Sequence, residues 1–243
     1  MTDAPVLYEK TGDGIAWVTL NRPQALNAIN LRMRDDLWEI MHAVRDDPHV
    51  RVVIFKGAGD RAFSAGADVT EFGTAPSIAE ARRARQERDL WRFMLTLEKG
   101  LVAAIHGFAL GAGIELPMCC DIRIVSEDAK IGLPEVSLGY IPSAGGTQTL
   151  PRLVPRSAAM QIILSGQPID ANTALQYGLV HDVVPRDQLD AEAERVARRI
   201  AAQPPHVVAL VKRAVLAADE LSAEGAMAVE SNLARRALAA RFN

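Results

Sequence analysis

The chain has 243 residues, 49% of them hydrophobic and 23% charged, with a formal net charge of −3. This is the balance of a soluble globular protein, with length for one large domain or one domain and an appendage. It excludes an overall field that would gather nucleic acid or an anionic membrane, and no apolar run reaches the ~18–20 residues that span a bilayer.

The N-terminus, Met-Thr-Asp-Ala-Pro, lacks the basic and apolar parts of an export signal. The two cysteines, Cys119 and Cys120, are adjacent and unsuited to bridging each other, so the thiols are expected to be reduced packing residues in a cytoplasmic protein. Val6–Lys10 and Ile15–Leu20 predict a strand pair across Thr-Gly-Asp-Gly. Asn21-Arg22-Pro23 ends the second strand, and residues 25–27 form a loop. Asn30 is the expected N-cap of a helix carrying Leu31, Leu37, Trp38, Met41 and Val44 at helical spacing to about Asp46, where Pro48 stops it. Residues 50–56 read as a buried strand and 57–68 as a long glycine-bearing loop. A charged, then apolar, helix is predicted over 78–98.

Residues 101–105 predict a central buried strand. A glycine-rich turn, 107–113, follows, and a helix begins near Ile114. Residues 121–126 and 130–133 are further strands, and 147–153 and 157–165 short helices. Asp170 is the expected cap of a helix ending at Tyr177, with Gly178 just past its end. After a last strand at 180–184 only helices are predicted, over 188–202, 206–218 and 222–241. Strands alternating with helices and then helices alone predict an α/β core, residues 1–185, and a C-terminal helical region, 186–243.

Several chemistries lack their motif. Gly57-x-Gly59-x-x-Ala62 follows a strand but opens a loop, not the helix that a dinucleotide fingerprint requires. Gly-x-Ser-x-Gly, His-Glu-x-x-His and paired Cys-x-x-Cys are absent, so no nucleophile elbow or metal site is implied. His106, at the end of the central strand, reads as a hydrogen-bonded structural residue. Arg82, Arg83, Arg85 and Arg88, interleaved with Glu80, Glu87 and Asp89, read as a solvated helix face; without interleaved aromatics they make no nucleic-acid surface.

What remains is residues 103–147. Strand, glycine turn and helix start together point free backbone N–H groups into a concave site. Glu115 falls in the first turn of the helix, and Glu135 follows a Gly-Leu-Pro turn. Two carboxylates beside exposed amides are parts for acid/base work on a polarised carbonyl.

Five segments in this order resemble the crotonase superfamily, the enoyl-CoA hydratase/isomerase fold. They are Asn21-Arg-Pro-Gln-Ala-Leu-Asn-Ala, Arg61-Ala-Phe-Ser-Ala-Gly-Ala-Asp, Gly107-Phe-Ala-Leu-Gly-Ala-Gly-Ile-Glu-Leu, Cys120-Asp-Ile-Arg-Ile, and Leu133-Pro-Glu through Gly-Gly-Thr147. The resemblance runs to about residue 230. It implies a ββα spiral core with a C-terminal helical trimerisation region, and trimers that pair into hexamers. It implies a thioester carbonyl held by the backbone N–H groups of Ala67 and Ala112, where many relatives carry glycine in place of Ala112. Glu115 matches the glutamate that holds and deprotonates water, and Glu135 the one that delivers a proton to C2. Retention of both implies an enoyl-CoA hydratase acting on trans-2-enoyl-CoA thioesters. A Δ3,Δ2-enoyl-CoA isomerase, which needs one base at the Glu135 position, and a non-catalytic acyl-CoA-binding paralogue are the alternatives.

By the same resemblance, coenzyme A lies along Arg22, Ala25 and Leu26 and along Ser64, Ala65, Gly66 and Asp68, with Arg22 a phosphate contact. The acyl chain points toward Trp91, Leu95, Leu138, Tyr140 and Ile141, and residues 70–90 shape that pocket. No cofactor is implied beyond the coenzyme A of the substrate, and no nucleic-acid or membrane partner. The sequence stops at Arg241-Phe-Asn243, before an Asp-x-x-Glu-Gly segment and a Phe-x-Glu-Lys-Arg helix usual in relatives; in them that helix often covers the CoA site.

Overall fold

The computed structural model describes residues 4–71, 77 and 87–241. Its strands lie in two sheets. The larger holds β1 (Val6–Lys10), β2 (Ile15–Leu20), β3 (Val52–Gly57), β5 (Gly100–Ile105), β7 (Ile122–Ser126) and β10 (Asp182–Val184), in the order β1-β2-β3-β5-β7-β10. Only β1 is antiparallel to its neighbour; the rest run parallel. The smaller sheet holds β4 (Ala62–Ser64), β6 (Phe108–Leu110), β8 (Lys130–Gly132) and β9 (Ile169–Asp170), in the order β4-β6-β8-β9, the first three parallel. The chain passes from β3 to β4, from β5 to β6 and from β7 to β8. It therefore climbs as a coil, each turn laying one strand in each sheet.

The strand sequences explain why both faces of the large sheet are covered. In β3, Val53 and Phe55 enter the main core while Val52 and Ile54 enter a second one. In β5, Leu101, Ala103 and Ile105 face the first and Val102 and Ala104 the second. That is the two-residue period of a strand read on both sides, and apolar runs of this kind suit parallel strands buried on both faces. Each fully buried Val, Leu, Ile or Phe contributes ~1.5–3 kcal/mol relative to exposure.

The main core is closed by α1 (Leu31–Asp46), α2 (Leu90–Thr96) and α3 (Ala112–Met118). α1 begins as expected: the Asn30 side chain accepts from the Met33 N–H, and Met33, Leu37, Met41 and Val44 are buried at helical spacing. Three shorter helices follow, α4 (Gly146–Leu153), α5 (Arg156–Ser165) and α6 (Ala171–Gln176), the last capped by Asp170 as predicted. The second core is closed by α7 (Leu189–Ala201), which presents Leu189, Ala193, Ala197 and Ala201 every fourth residue. Alanine at three of these positions lets the helix lie close to the sheet. The last helices, α8 (Pro205–Glu220) and α9 (Ala223–Arg241), pack chiefly on each other. Lys212 of α8 ties the pair to the core by donating to the Lys99 carbonyl at 3.1 Å and to Asp121 at 2.9 Å.

The α/β architecture agrees with the expectation, with differences in detail. The segment expected as a loop over 57–68 contains β4, and the glycine turn over 107–113 contains β6. Both strands are three residues long and gain their stability from pairing with each other, which no local periodicity announces. The helix predicted over 78–98 does not run unbroken through its described part: Arg88 lies in a turn, and Asp89 caps a new helix by accepting from the Arg92 N–H. Residues 78–86, with Glu80, Arg82, Arg83 and Arg85, lie outside the described residues; Arg88 pairs with Asp35 at 3.1 Å.

Candidate active site

β4, β6 and β8 are parallel neighbours, so the chain leaves all three at the same end of the small sheet. Ala67, Ala112 and Glu135 each lie within three residues of these exits. Adjacent strands are ~4.8 Å apart, so the three exits are stacked side by side. This is how residues far apart in sequence meet.

The first exit is held by backbone pairing. Ile29 N donates to the Gly66 carbonyl at 2.7 Å and Asp68 N to the Ile29 carbonyl at 3.0 Å, leaving Ala67 between them. Gly66 has φ +102°, and a Cβ there would sit 2.6 Å from the Leu110 carbonyl and 3.5 Å from the Ala112 nitrogen. Only glycine allows the Ala67 and Ala112 segments to approach so closely. Among the described residues, neither the Ala67 nor the Ala112 N–H donates to another group. Ala112 opens α3, so its N–H belongs to the first turn, where helix donors have no intrahelical partner and the dipole favours negative charge. Two unused amides on touching segments suit one developing oxyanion.

Glu115, 2% exposed, lies in the first turn of α3. Its Oε1 accepts from Ala144 N at 3.0 Å and Gly146 N at 2.7 Å. These donors come from the turn that opens α4, so the carboxylate bridges two helix starts. Glu135, 5% exposed, lies in the 3-10 turn Pro134–Leu138, and its buried Oε2 has no hydrogen-bond partner among the described residues. Desolvation raises its pKa above the ordinary carboxylate value. The two carboxylates flank Gly111, whose carbonyl accepts from Glu115 N at 3.0 Å and whose missing Cβ leaves room for Glu135 Oε1. Charges on both raise the pKa of Tyr140, after burial, which contributes most. One carboxylate clamped by amides and one left dry is a pair built for unequal roles in proton transfer.

The residues that the resemblance assigns to coenzyme A lie together, and their polar side chains are engaged within the protein. Arg22 Nη1 donates to the Ala28 carbonyl at 2.6 Å and pairs with Asp68 at 2.9 Å. Ser64 is wholly buried and its hydroxyl donates to the Asn27 carbonyl at 2.8 Å. These side chains brace the loop, and the N–H groups of Ala25, Leu26, Ala65 and Gly66 donate within it, to the Arg22, Pro23 and Leu26 carbonyls and the Ser64 hydroxyl. Trp91 and Leu95 of α2 pack against the main core, Tyr140 is half-buried, and Leu138 and Ile141 are exposed. Residues 72–76 and 78–86, within the segment expected to shape the acyl pocket, lie outside the described residues.

Sequence reasoning missed Asn27, Ala144 and Gly146. The buried Asn27 amide donates to the Ala58 and Ala62 carbonyls at 2.9 and 2.8 Å, and its oxygen accepts from Arg22 N. Asn27 and Leu26 both have positive φ, so the loop is a fixed shape. The Gly145-Gly146 pair before a helix start was the available signal for the Glu115 clamp. His106 is 2% exposed and its Nε2 has no partner among the described residues; with Thr19, Lys56, Arg186 and Asp190 it lines a polar recess of about 410 Å³ that neither glutamate borders.

With this geometry in hand, comparison with known proteins is specific. The family model for enoyl-CoA hydratase/isomerase matches residues 10–240. The chain is 40% identical over 226 residues to a short-chain-enoyl-CoA hydratase of Clostridium acetobutylicum, covering 93% of this chain and 86% of that protein. It is 39% identical to a crotonyl-CoA hydratase of Syntrophomonas wolfei, covering 93% and 87%. The crystal structure of an enoyl-CoA hydratase from Bacillus anthracis superimposes with a TM-score of 0.90 at 34% identity, covering 95% of this chain and 90% of that one.

Proposed function

Because the chain belongs to the enoyl-CoA hydratase/isomerase family, we propose that it is an enoyl-CoA hydratase, adding water across a trans-2-enoyl-CoA thioester to give a 3-hydroxyacyl-CoA. The observation that carries the reading is the pair of unlike carboxylates, clamped Glu115 and dry Glu135, on either side of Gly111 near two unused amides.

The chemistry follows from the site. The thioester oxygen accepts from the Ala67 and Ala112 N–H groups, which draws electrons from C3. Glu115, oriented by Ala144 and Gly146, takes a proton from water as its oxygen bonds to C3. Electrons move onto the thioester oxygen, giving an enolate that the two amides stabilise. Losing one such donor costs about 2.7–4 kcal/mol in other enzymes. The enolate collapses as C2 takes the proton of Glu135, whose dry setting favours the acid form required. Coenzyme A enters with the substrate, along the Arg22–Asp68 brace. The test is incubation with crotonyl-CoA and longer enoyl-CoAs while following the conjugated thioester absorbance; no turnover at any chain length rejects the reading.

An isomerase activity is favoured by one observation, the Oε2 of Glu135 without a hydrogen-bond partner among the described residues, which can shuttle a proton between C4 and C2 by itself. It predicts conversion of 3-enoyl-CoA that survives Glu115→Gln. Tight binding of the thioester without either product would instead mark a non-catalytic acyl-CoA-binding protein. We assign α8 and α9 to a homotrimer or dimer of trimers, since Val211, Val215, Met227 and Leu238 are exposed apolar residues on these helices. No described helix is long and apolar enough to cross a membrane, and a cytoplasmic setting suits the two adjacent free cysteines.

A further inference from the structure

Arg123 is 3% exposed in β7, between apolar neighbours, and it lies beyond the C-terminal end of α3. Its Nη1 donates to the carbonyls of Cys120 at 2.5 Å and Pro117 at 3.3 Å, and its Nε to the Leu179 carbonyl at 2.7 Å. Every acceptor of this guanidinium among the described residues is a main-chain carbonyl. The backbone is tied as well: Arg123 N donates to His181 Nδ1 at 3.1 Å, and His181 N to the Arg123 carbonyl at 2.8 Å.

A buried cation with no hydrogen-bonded carboxylate among the described residues, only the charge of Asp121 nearby, carries a desolvation cost that an apolar residue at this position would not. What it holds explains the cost. α3 has only seven residues, and Pro117 inside it supplies no N–H. Such a helix has few ladder bonds, so its placement depends on contacts at its ends. Carbonyls at the C-terminal end are its negative pole, and a planar fork of donors is the group that can hold several at once. The Ala112 N–H lies at the opposite end, ~9 Å from Met118 at ~1.5 Å per residue, and Glu115 lies midway between them.

We infer that Arg123 is a positioning residue for the hydration reaction, fixing α3 along its axis so that the Ala112 N–H and the Glu115 carboxylate meet the thioester in register. The inference rests on the hydratase reading of the same site. Lysine would keep the charge but reach fewer of the three carbonyls.

The experiment compares wild type, Arg123→Lys and Arg123→Met by kcat and KM with crotonyl-CoA, by unfolding temperature, and by the red shift of a bound aryl-conjugated enoyl-CoA. The shift reads how strongly the amides polarise the carbonyl and needs no turnover. Sub-ångström displacement of the donors is expected to lower kcat about 10-fold or more in Arg123→Met, with KM within about 3-fold, a smaller red shift, and Arg123→Lys between the two. An unchanged kcat and red shift with only a lower unfolding temperature would overturn the inference, since a merely structural role predicts that pattern. If Arg123→Met does not fold, Arg123→Lys decides by the same readouts. A wild type that shifts the bound thioester yet hydrates no enoyl-CoA counts against the hydratase reading, and the shift in the variants still decides the role of Arg123.

Discussion

Gly111 and Glu135 share one volume: a Cβ on residue 111 would lie 2.8 Å from Oε1 of Glu135. Gly111 also has φ +53° and ψ −128°, a conformation that L side chains avoid. Gly111→Ala is therefore expected to cost ~1–3 kcal/mol in stability through backbone strain. It should also displace the Glu135 carboxylate and, on the hydratase reading, lower kcat by about 10-fold or more. Thermal unfolding and hydration rates measure the two effects; a variant with wild-type values for both refutes the packing argument.

Glu135→Gln should lower kcat by ~10²-fold or more, the scale of general acid catalysis. It also has a stability signature. Burial raises the folded-state pKa above the ordinary glutamate value, so the folded protein holds this proton more tightly than the unfolded chain. Stability then falls as pH rises from the unfolded carboxyl value through the raised one. The glutamine variant lacks that loss, so it should match wild type at low pH and gain on it at neutral pH. Denaturant unfolding across this range tests the sign.

Glu115→Gln keeps an oxygen that can accept from Ala144 N and Gly146 N, so the turn should stay in place. Hydration is nonetheless expected to fall by ~10²-fold or more, because the amide cannot take the water proton. Near-wild-type hydration would show that the base lies elsewhere.

Arg22 and Asp68 brace the proposed coenzyme A loop as a unit, with side chains 20% and 13% exposed. Arg22→Met and Asp68→Asn should each raise KM for the thioester. Their double variant should fall short of the sum by ~0.5 kcal/mol or more, as for residues in one network. Strict additivity would show that the two act separately.

His106 has a pKa lowered from 6.5 to about 4, chiefly because burial disfavours its charged form. Below pH 6.5 the unfolded chain binds this proton before the folded one does, so stability drains away as pH falls toward about 4. His106→Gln should flatten the acid limb of the stability curve between those values. Urea unfolding at a series of pH values checks it; identical slopes would rule the histidine out as the cause.

Much of this was legible in the residues. The helices of the C-terminal half, the Asn30 and Asp170 caps and the buried strands carry local signals, periodicity and side-chain chemistry, and these appeared where expected. β4 and β6 did not, because a three-residue strand is specified by its neighbour across the sheet and not by its own sequence. The site divided in the same way. Glu115 and Glu135 stood out as carboxylates in glycine-rich settings, but the amides of Ala144 and Gly146 that orient Glu115 are backbone groups without a side-chain signature. Arg22 was readable as a cation near a loop, whereas its commitment to Asp68 depends on the chain folding back over a separation of 46 residues.

The coil that alternates strands between two sheets separates chemistry from chain length. Ala67, Ala112 and Glu135 are metered by the spacing of adjacent rungs, and the excursions that join one rung to the next lie outside that ruler. Lengthening or rebuilding an excursion would change what is admitted to the pocket while the reacting groups keep their separation. A scaffold of this kind can be retuned for new acyl groups without being taken apart.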